Sequence, residues 1–236
     1  MRLFKHALPI VAHFDWALAL TLSAPRERLA HLVAPGLMLD TFEGYGLLAV
    51  ACVQTRGLRP AGLPAFAGID FFLAGYRLFV VREHAGRTRR GLQILGSETD
   101  RWLMAAAGRL FTHYRYRRAG VKVTGDGRTR RIATSSGLVL EANVERADLP
   151  PGSIFRDWEM ARRYAGPMPF TFAPEPDAIV SVRGTRAHWK PRLVALTDVR
   201  VPVLERLAGT PAQPAAAFLV EDVDYRWDRG VREPLG

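Results

Sequence analysis

The sequence holds a single cysteine, Cys52, among its 236 residues. One thiol cannot form an intramolecular disulfide or a cysteine-based metal cluster, and it indicates a reducing compartment. Cys52 lies in the apolar segment LLAVACV. This setting predicts a buried, inert thiol rather than a nucleophile.

Long apolar runs are missing as well. No run reaches the roughly 18 apolar residues that a membrane-spanning helix needs. Arg2 and Lys5 precede an apolar stretch, but His13 and Asp15 interrupt it, which argues against a signal peptide. We therefore expect a cytoplasmic protein that does not enter a membrane.

Common catalytic and nucleotide-binding motifs are also absent. There is no Walker loop, no GxGxxG after a strand and no GxSxG. The histidines are scattered without HExxH or HxH spacing, so the sequence predicts no metal site and no cofactor. Asp222 and Asp224 could offer oxygens to a hard cation, but a solvated strand face explains them better.

Positive charge is in excess, and almost all of it is arginine. The 33 Lys+Arg against 23 Asp+Glu give a formal net charge of +10, and only Lys5, Lys122 and Lys190 are lysines. Apolar residues at 48% and charged residues at 24% are typical of a folded domain with its own core. We therefore treat residues 1–236 as a single domain.

Short strands separated by turn residues dominate the pattern. In residues 13–22, bulky apolar side chains alternate with small or polar ones, which suits a strand with a core face and a cavity-lining face. The bulky set is Phe14, Trp16, Leu18, Leu20 and Leu22, and the small or polar set is His13, Asp15, Ala17, Ala19 and Thr21. The remaining strands are predicted near 37–42, 46–55, 71–82, 89–96, 114–124, 128–134, 137–145, 178–184, 192–200 and 216–227. Residues 56–68 are predicted to be a loop, and 166–176 a proline-rich connection.

Three short helices are predicted between the strands. The first begins near Pro25 with Ser23 as its cap, and the second begins at Ser97, where Ser-x-x-Asp resembles a capping box. The third covers 153–164. The hairpin order of the strands predicts an α+β, mainly β fold: a curved antiparallel barrel-like sheet with a few short helices. Such a sheet has an interior able to hold a small ligand.

Three segments carry a resemblance to a known family. They are VAPGLMLDTFEGYGLLAVACVQTRGLRPAGLP (33–64), FFLAGYRLFVV (71–81) and AAAGRLFTHYRYRRAGVKV (105–123). In order and spacing they resemble the YqjF-like uncharacterised family, within the acetoacetate-decarboxylase-like fold. That family's pattern is close to PPGLELDTFDG, RPRGLP, FxELNVRTYV and a Gly-Arg-aromatic segment. The resemblance implies a cone-like antiparallel barrel around an interior pocket.

The resemblance also implies which pocket groups differ from those of acetoacetate decarboxylase, whose pocket lysine forms a Schiff base with a keto acid. Gly108 and Arg109 match the Gly-Arg of the decarboxylase pattern, but its two lysine positions fall on Tyr116 and Arg117. The acidic residue of the earlier strand falls on Leu73. A phenol and a guanidinium do not form imines under ordinary conditions, so decarboxylation by that route is not expected.

The candidate ligand-binding residues are Arg77, Arg109, Tyr114, Tyr116 and Glu98. Two phenols and an arginine would suit an aromatic or carboxylate-bearing ligand. A half-exposed sheet face explains the tyrosines equally well, and Glu98 could either pair with a pocket arginine or favour a helix dipole. No catalytic residue is predicted, and whether the protein is an enzyme stays open.

Two other functions stay open beside a small-molecule-binding pocket. The basic clusters at 87–90, 113–118 and 128–131 predict a nucleic-acid or polyanion surface. A lyase with a relocated Schiff-base lysine would use Lys122 or Lys190. The sequence does not decide the oligomeric state, and a homo-oligomer stays open.

Overall fold

The computed structural model describes residues 5–235, which form sixteen β-strands and four α-helices. The first eight strands are β1 (Ile10–Pro25), β2 (Met38–Leu39), β3 (Thr41–Phe42), β4 (Tyr45–Pro60), β5 (Ile69–His84), β6 (Arg87–Thr99), β7 (Tyr116–Arg118) and β8 (Val121–Gly125). The others are β9 (Thr129–Thr134), β10 (Val139–Asn143), β11 (Phe170–Pro174), β12 (Ala178–Arg186), β13 (Arg192–Leu193), β14 (Ala195–Arg200), β15 (Gln213–Trp227) and β16 (Val231–Pro234). The helices are α1 (Arg26–Leu29), α2 (Trp102–Phe111), α3 (Trp158–Ala165) and α4 (Pro202–Ala208).

Twelve strands form one strongly curved sheet. Its order is β13-β15-β1-β4-β5-β6-β11-β12-β16, with β2, β3 and β7 paired at its sides. Three residue pairs, from Gly184↔Trp227 to Arg186↔Tyr225, link β12 back to β15, so the sheet curls into a barrel-like shape. A second sheet, in the order β14-β10-β9-β8, packs against it. The predicted mainly β, barrel-like fold class is confirmed.

Most neighbouring strands are antiparallel, but β6 pairs in parallel with both β7 and β11. Strand β11 lies in the predicted connection 166–176, where the sequence analysis expected no strand. Phe170 and Phe172 stack on each other along this strand. A Cβ at Gly91 of β6 would lie 2.5 Å from the Phe172 ring, so the missing side chain makes room for it. Tertiary packing therefore overrides the prolines around β11.

The alternation predicted for residues 13–22 is wrong at Phe14. The pairing of β1 with β4 shifts register between Phe14 and Trp16, so a bulge interrupts the strand. Because a bulge adds one residue, Phe14 moves to the face of Ala17 and Ala19, whereas Trp16 packs with the leucines of the other face.

Both predicted capping serines lie in strands instead. Ser97 is part of β6, and the side chain of Asp100 accepts a hydrogen bond from the backbone N–H of Phe72 at 2.8 Å. Ser23 is part of β1, and its hydroxyl donates to the carbonyl of Gln213 at 3.4 Å. Both serines therefore lie in paired strands, where the backbone groups of neighbouring strands bond with their N–H and C=O groups.

Three predicted boundaries also change. Strand β4 runs to Pro60 and β5 begins at Ile69, so only the middle of the predicted loop 56–68 is a loop. The predicted strand 114–124 divides into β7 and β8, which belong to different sheets. The third helix begins at Trp158 rather than at residue 153.

The part of the chain beyond residue 145 completes the curled sheet and covers one end of it. Strands β11, β12 and β15 all come from this part. Helix α3 and the segment around it pack Phe155, Ala161 and Met168 against Phe42 and Phe79 of the earlier strands. The part of the chain beyond residue 145 therefore supplies three strands of the curled sheet and the segment that covers one end of it.

Cys52 is free and fully buried, which confirms the predicted burial of the thiol. Burial raises its pKa above the ordinary value, with a further contribution from the charge of Glu98. Within residues 5–235, no helix combines the length and the apolar character needed to cross a membrane.

A buried ion cluster ties the last strand to the sheet. Arg82 is only 2% exposed, and its Nε donates to Glu233 of β16 at 2.9 Å. Arg89 and Ser181 also donate to the Glu233 carboxylate, at 2.6 and 3.0 Å. Burial alone would raise the pKa of Glu233, but these hydrogen bonds and the arginine charges hold it below its usual value.

Replacing Glu233 should therefore be costly. Glu233→Gln leaves Arg82 buried without a counter-ion, and we expect a loss of about 3–5 kcal/mol in the free energy of unfolding. Glu221→Gln is the matched control, because Glu221 is exposed in its pairs with Arg130 and Arg192, and such pairs contribute about 0–1 kcal/mol. Urea unfolding measures both, and equal losses would contradict the assignment.

Candidate ligand-binding site

The curvature of the sheet brings Arg77 of β5 close to Tyr225 of β15. Two strands, β1 and β4, lie between β5 and β15, which is about 14 Å along a sheet with strand spacings of roughly 4.8 Å. Nevertheless the two side chains are close enough for Tyr225 to influence the pKa of Arg77. They therefore face each other across the concave side of the sheet.

Small side chains form the floor of this concave side. Ala19 pairs with Ala51, which in turn pairs with Gly75, and Ala49 pairs with Arg77. The three alanines keep 6–9% of their surface accessible, whereas the leucines of the opposite face, such as those at 18, 20 and 48, keep none. The floor therefore lies on the same face of the sheet as Arg77 and is less tightly covered than the opposite face.

Arg77 is a guanidinium without a counter-ion. Its Nε is buried and has no hydrogen-bond partner. Desolvation lowers the pKa of Arg77, and the phenols of Tyr225, Tyr114 and Tyr116 act in the opposite direction. Within residues 5–235, no carboxylate forms an ion pair with Arg77. We name the set formed by Arg77, Tyr114, Tyr116, Tyr225 and Arg186 the Arg77 pocket.

Tyr114 and Tyr116 face the same space from the α2–β7 segment. Their ring centroids lie 6.3 Å apart at an angle of 50°. Burial raises the pKa of Tyr114 to about 12, although a hydrogen bond with Thr171 lowers it, and burial also raises the pKa of Tyr116. Both phenols are therefore neutral at physiological pH and can donate hydrogen bonds.

The Gly-Arg pair of the sequence motif positions Tyr116. A Cβ at Gly108 would lie 2.2 Å from the Tyr116 ring, so the ring packs directly on the backbone of α2. The Nε of Arg109 donates to the carbonyl of Tyr116 at 2.9 Å. Arg109 itself is exposed and lies behind Tyr116 rather than beside Arg77.

Glu98 lies away from the other candidates. It is buried in β6, where its carboxylate accepts hydrogen bonds from Tyr76 at 3.1 Å and Ser136 at 2.8 Å. Its cross-strand partner is Ala74, whose face packs against the second sheet, while Arg77 is on the concave face. The structure therefore brings Arg77, Tyr114 and Tyr116 together but not Glu98.

Sequence reasoning missed two residues of the pocket. Arg186 and Tyr225 are cross-strand partners in the three-pair link between β12 and β15. The Arg186 guanidinium lies over the rings of Tyr225 and Trp189, at 5.8 and 5.0 Å from their centroids. The available signal was Gly184, where a Cβ would lie 2.2 Å from the Tyr225 hydroxyl. Both residues also line an open cleft of about 600 Å³.

Acidic partners neutralise two of the three basic clusters. In the cluster at 87–90, Arg89 pairs with Glu233 and Arg90 pairs with Asp40. In the cluster at 128–131, all three arginines form ion pairs with carboxylates. These clusters therefore present less free charge than the sequence suggests.

Lys122 and Lys190, the alternative Schiff-base lysines, are exposed. An exposed amine is not desolvated, and desolvation is the usual way to depress the pKa of a reactive lysine. Across residues 5–235, no group of three or more metal-ligating side chains is placed to hold an ion.

Comparison with known proteins identifies the family. DUF2071, described as an uncharacterized conserved protein, matches residues 14–224. The chain belongs to this family. The YqjF-like resemblance is thereby confirmed. No curated protein matches the chain.

Solved structures with this fold are acetoacetate decarboxylase-like. An acetoacetate decarboxylase-like enzyme from Sphingomonas wittichii RW1 has a TM-score of 0.57 at 17% identity, covering 98% of this chain and 94% of its own. The acetoacetate decarboxylase of Legionella pneumophila has a TM-score of 0.61 at 12% identity, covering 94% and 86%. The enduracididine biosynthesis enzyme MppR has a TM-score of 0.62 at 11% identity, covering 95% and 88%. At these identities the likeness shows the fold alone.

The contact between Gly108 and Tyr116 can be tested directly. Gly108→Ala forces a methyl group into the Tyr116 ring, and we expect a loss of about 1–3 kcal/mol despite the better helix propensity of alanine. Gly96→Ala is the control, because a Cβ there meets no atom within 4 Å. Thermal unfolding measures both, and a Gly108→Ala protein as stable as the control would refute the contact.

His6 supports Tyr114 from outside the pocket. Their ring centroids lie 4.9 Å apart, and the Nε2 of His6 accepts a hydrogen bond from the backbone N–H of His113 at 3.2 Å. Burial, followed by the charges of His113 and Lys5, lowers the pKa of His6 from 6.5 to about 3.

This shift predicts how stability depends on pH. Unfolded His6 gains a proton below about pH 6.5, whereas folded His6 gains one only near 3, so acid favours the unfolded state. Stability should therefore fall from pH 6.5 towards 5. His6→Gln should make this decline shallower by up to about 1.4 kcal/mol per pH unit, and the exposed His188→Gln should not. Urea unfolding at each pH gives the slopes, and identical slopes for wild type and His6→Gln would contradict the shift.

Proposed function

We propose that this protein binds a small carboxylate-bearing molecule with an aromatic or apolar body in the Arg77 pocket. The observation that carries the proposal is the guanidinium of Arg77, which has a buried nitrogen without a partner and no carboxylate beside it. Arg77 is partly exposed, but a cation with a desolvated nitrogen and no counter-ion is destabilising, and a bound carboxylate would stabilise the folded protein.

The surrounding groups define the rest of the ligand. A carboxylate can pair with a guanidinium through two parallel hydrogen bonds, which fixes its orientation. The neutral phenols of Tyr114 and Tyr116 offer further donors and ring surface for stacking. The small side chains of Ala49 and Ala51, on the same face, would suit an apolar body next to the carboxylate.

Relatives by fold support a carboxylate ligand. MppR is described in complex with pyruvate, a small keto acid, and other neighbours are decarboxylases of acetoacetate. In this chain Tyr116 and Arg117 stand where the decarboxylase pattern has lysines, so the proposal is for binding, or for chemistry without an imine. Acidic partners at two of the three basic clusters, 87–90 and 128–131, make this function preferable to nucleic-acid binding.

The decisive test compares two arginine variants by isothermal titration calorimetry. The probes are pyruvate, phenylpyruvate and benzoate, with neutral benzamide as the uncharged counterpart of benzoate. Wild type should bind at least one carboxylate and bind benzamide less. Arg77→Met should weaken carboxylate binding by roughly tenfold or more, because the charge-assisted pair is lost.

Arg183→Met is the matched control, since Arg183 lies exposed on β12 and the variant removes the same charge. Its carboxylate binding should equal that of wild type. The proposal fails if no carboxylate binds to wild type, or if Arg77→Met and Arg183→Met bind alike while both remain folded by circular dichroism.

A further inference from the structure

A second cleft, of about 270 Å³, lies beside the α2–β7 segment. Its polar lining consists of Lys5, Arg109, Thr112, His113 and Arg115, and no carboxylate residue lines it. Three of these five side chains carry a permanent positive charge at neutral pH. Three cations are therefore concentrated in one concave site.

The lysine and the two arginines of this cleft form no ion pairs within residues 5–235. Neither Lys5 nor Arg115 contacts a carboxylate within residues 5–235, although Arg115 belongs to the one basic cluster, 113–118, whose arginines have no acidic partners there. Arg109 uses only its Nε, which donates to a backbone carbonyl, so its terminal nitrogens have no partner in the described part of the chain. The cleft therefore holds several donors that a bound anion could use.

His113 adds a polar edge to the same cleft. Its Nε2 lies 3.1 Å from Glu175 Oε1, and Glu175 is also held by Arg232. Its Nδ1 is buried and has no hydrogen-bond partner. The backbone of Arg115 has a φ of +51°, a conformation that non-glycine residues adopt rarely. This turn places Arg115 in the lining of the cleft, although its neighbours in sequence, Tyr114 and Tyr116, belong to the Arg77 pocket.

We propose that this cleft binds a phosphate group, either free or as part of a phosphorylated small molecule. Phosphate carries between one and two negative charges and has several acceptor oxygens, so it needs more donors than a carboxylate does. Two guanidinium groups and an ammonium group supply such a set. The cleft differs from the Arg77 pocket in its lining, which includes none of Arg77, Tyr114, Tyr116, Arg186 and Tyr225.

Titration of the full-length protein with inorganic phosphate tests the proposal, at a constant ionic strength of about 150 mM. Wild type should bind phosphate by calorimetry, and Arg115→Gln and Lys5→Gln should each weaken it by roughly tenfold. Arg117→Gln is the matched control, because Arg117 is exposed two residues further on and does not line the cleft. It should leave phosphate affinity unchanged.

Two further arms complete the experiment. Phenyl phosphate binding more tightly than inorganic phosphate would identify a phosphate ester as the ligand, and the reverse order would identify the free ion. Arg77→Met should not alter phosphate affinity, so this site can hold even if the carboxylate proposal fails. Absence of phosphate binding to wild type, or equal weakening by Arg115→Gln and Arg117→Gln, would overturn the proposal.

Discussion

A partly buried guanidinium without a carboxylate partner is the constraint around which the concave face of this protein is arranged. Arg77 can occupy its position only because the sheet curves enough to bring phenols from distant strands around it. Gly75 contributes as well, since a Cβ there would lie 3.2 Å from the Arg77 guanidinium. Cation, curvature and small floor residues therefore depend on one another.

The Gly-Arg motif illustrates how a short pattern can serve geometry rather than chemistry. Gly108 lets the Tyr116 ring rest on the helix backbone, and Arg109 holds the Tyr116 carbonyl. The motif thus fixes the position of Tyr116, one of the residues of the Arg77 pocket.

Local signals predicted the hairpins and the mainly β character, because turn residues and strand alternation act within a few positions. Turn residues Ala85 and Gly86, both with positive φ, join β5 and β6 as expected. The bulge at Phe14 escaped prediction because alternation gives no sign of an inserted residue. Arg186 and Tyr225 escaped it because their meeting depends on how the two ends of the curved sheet come together, which no local pattern encodes.

The link between β12 and β15 is short, and it includes Arg186 and Tyr225 of the Arg77 pocket. Only three residue pairs form it, whereas β1 and β15 share thirteen. A seam with so few hydrogen bonds separates at a lower free-energy cost than any long strand pair of the sheet. Its parting would draw Arg186 and Tyr225 away from Arg77 and leave the alanine floor undisturbed, because the floor belongs to the long central strands.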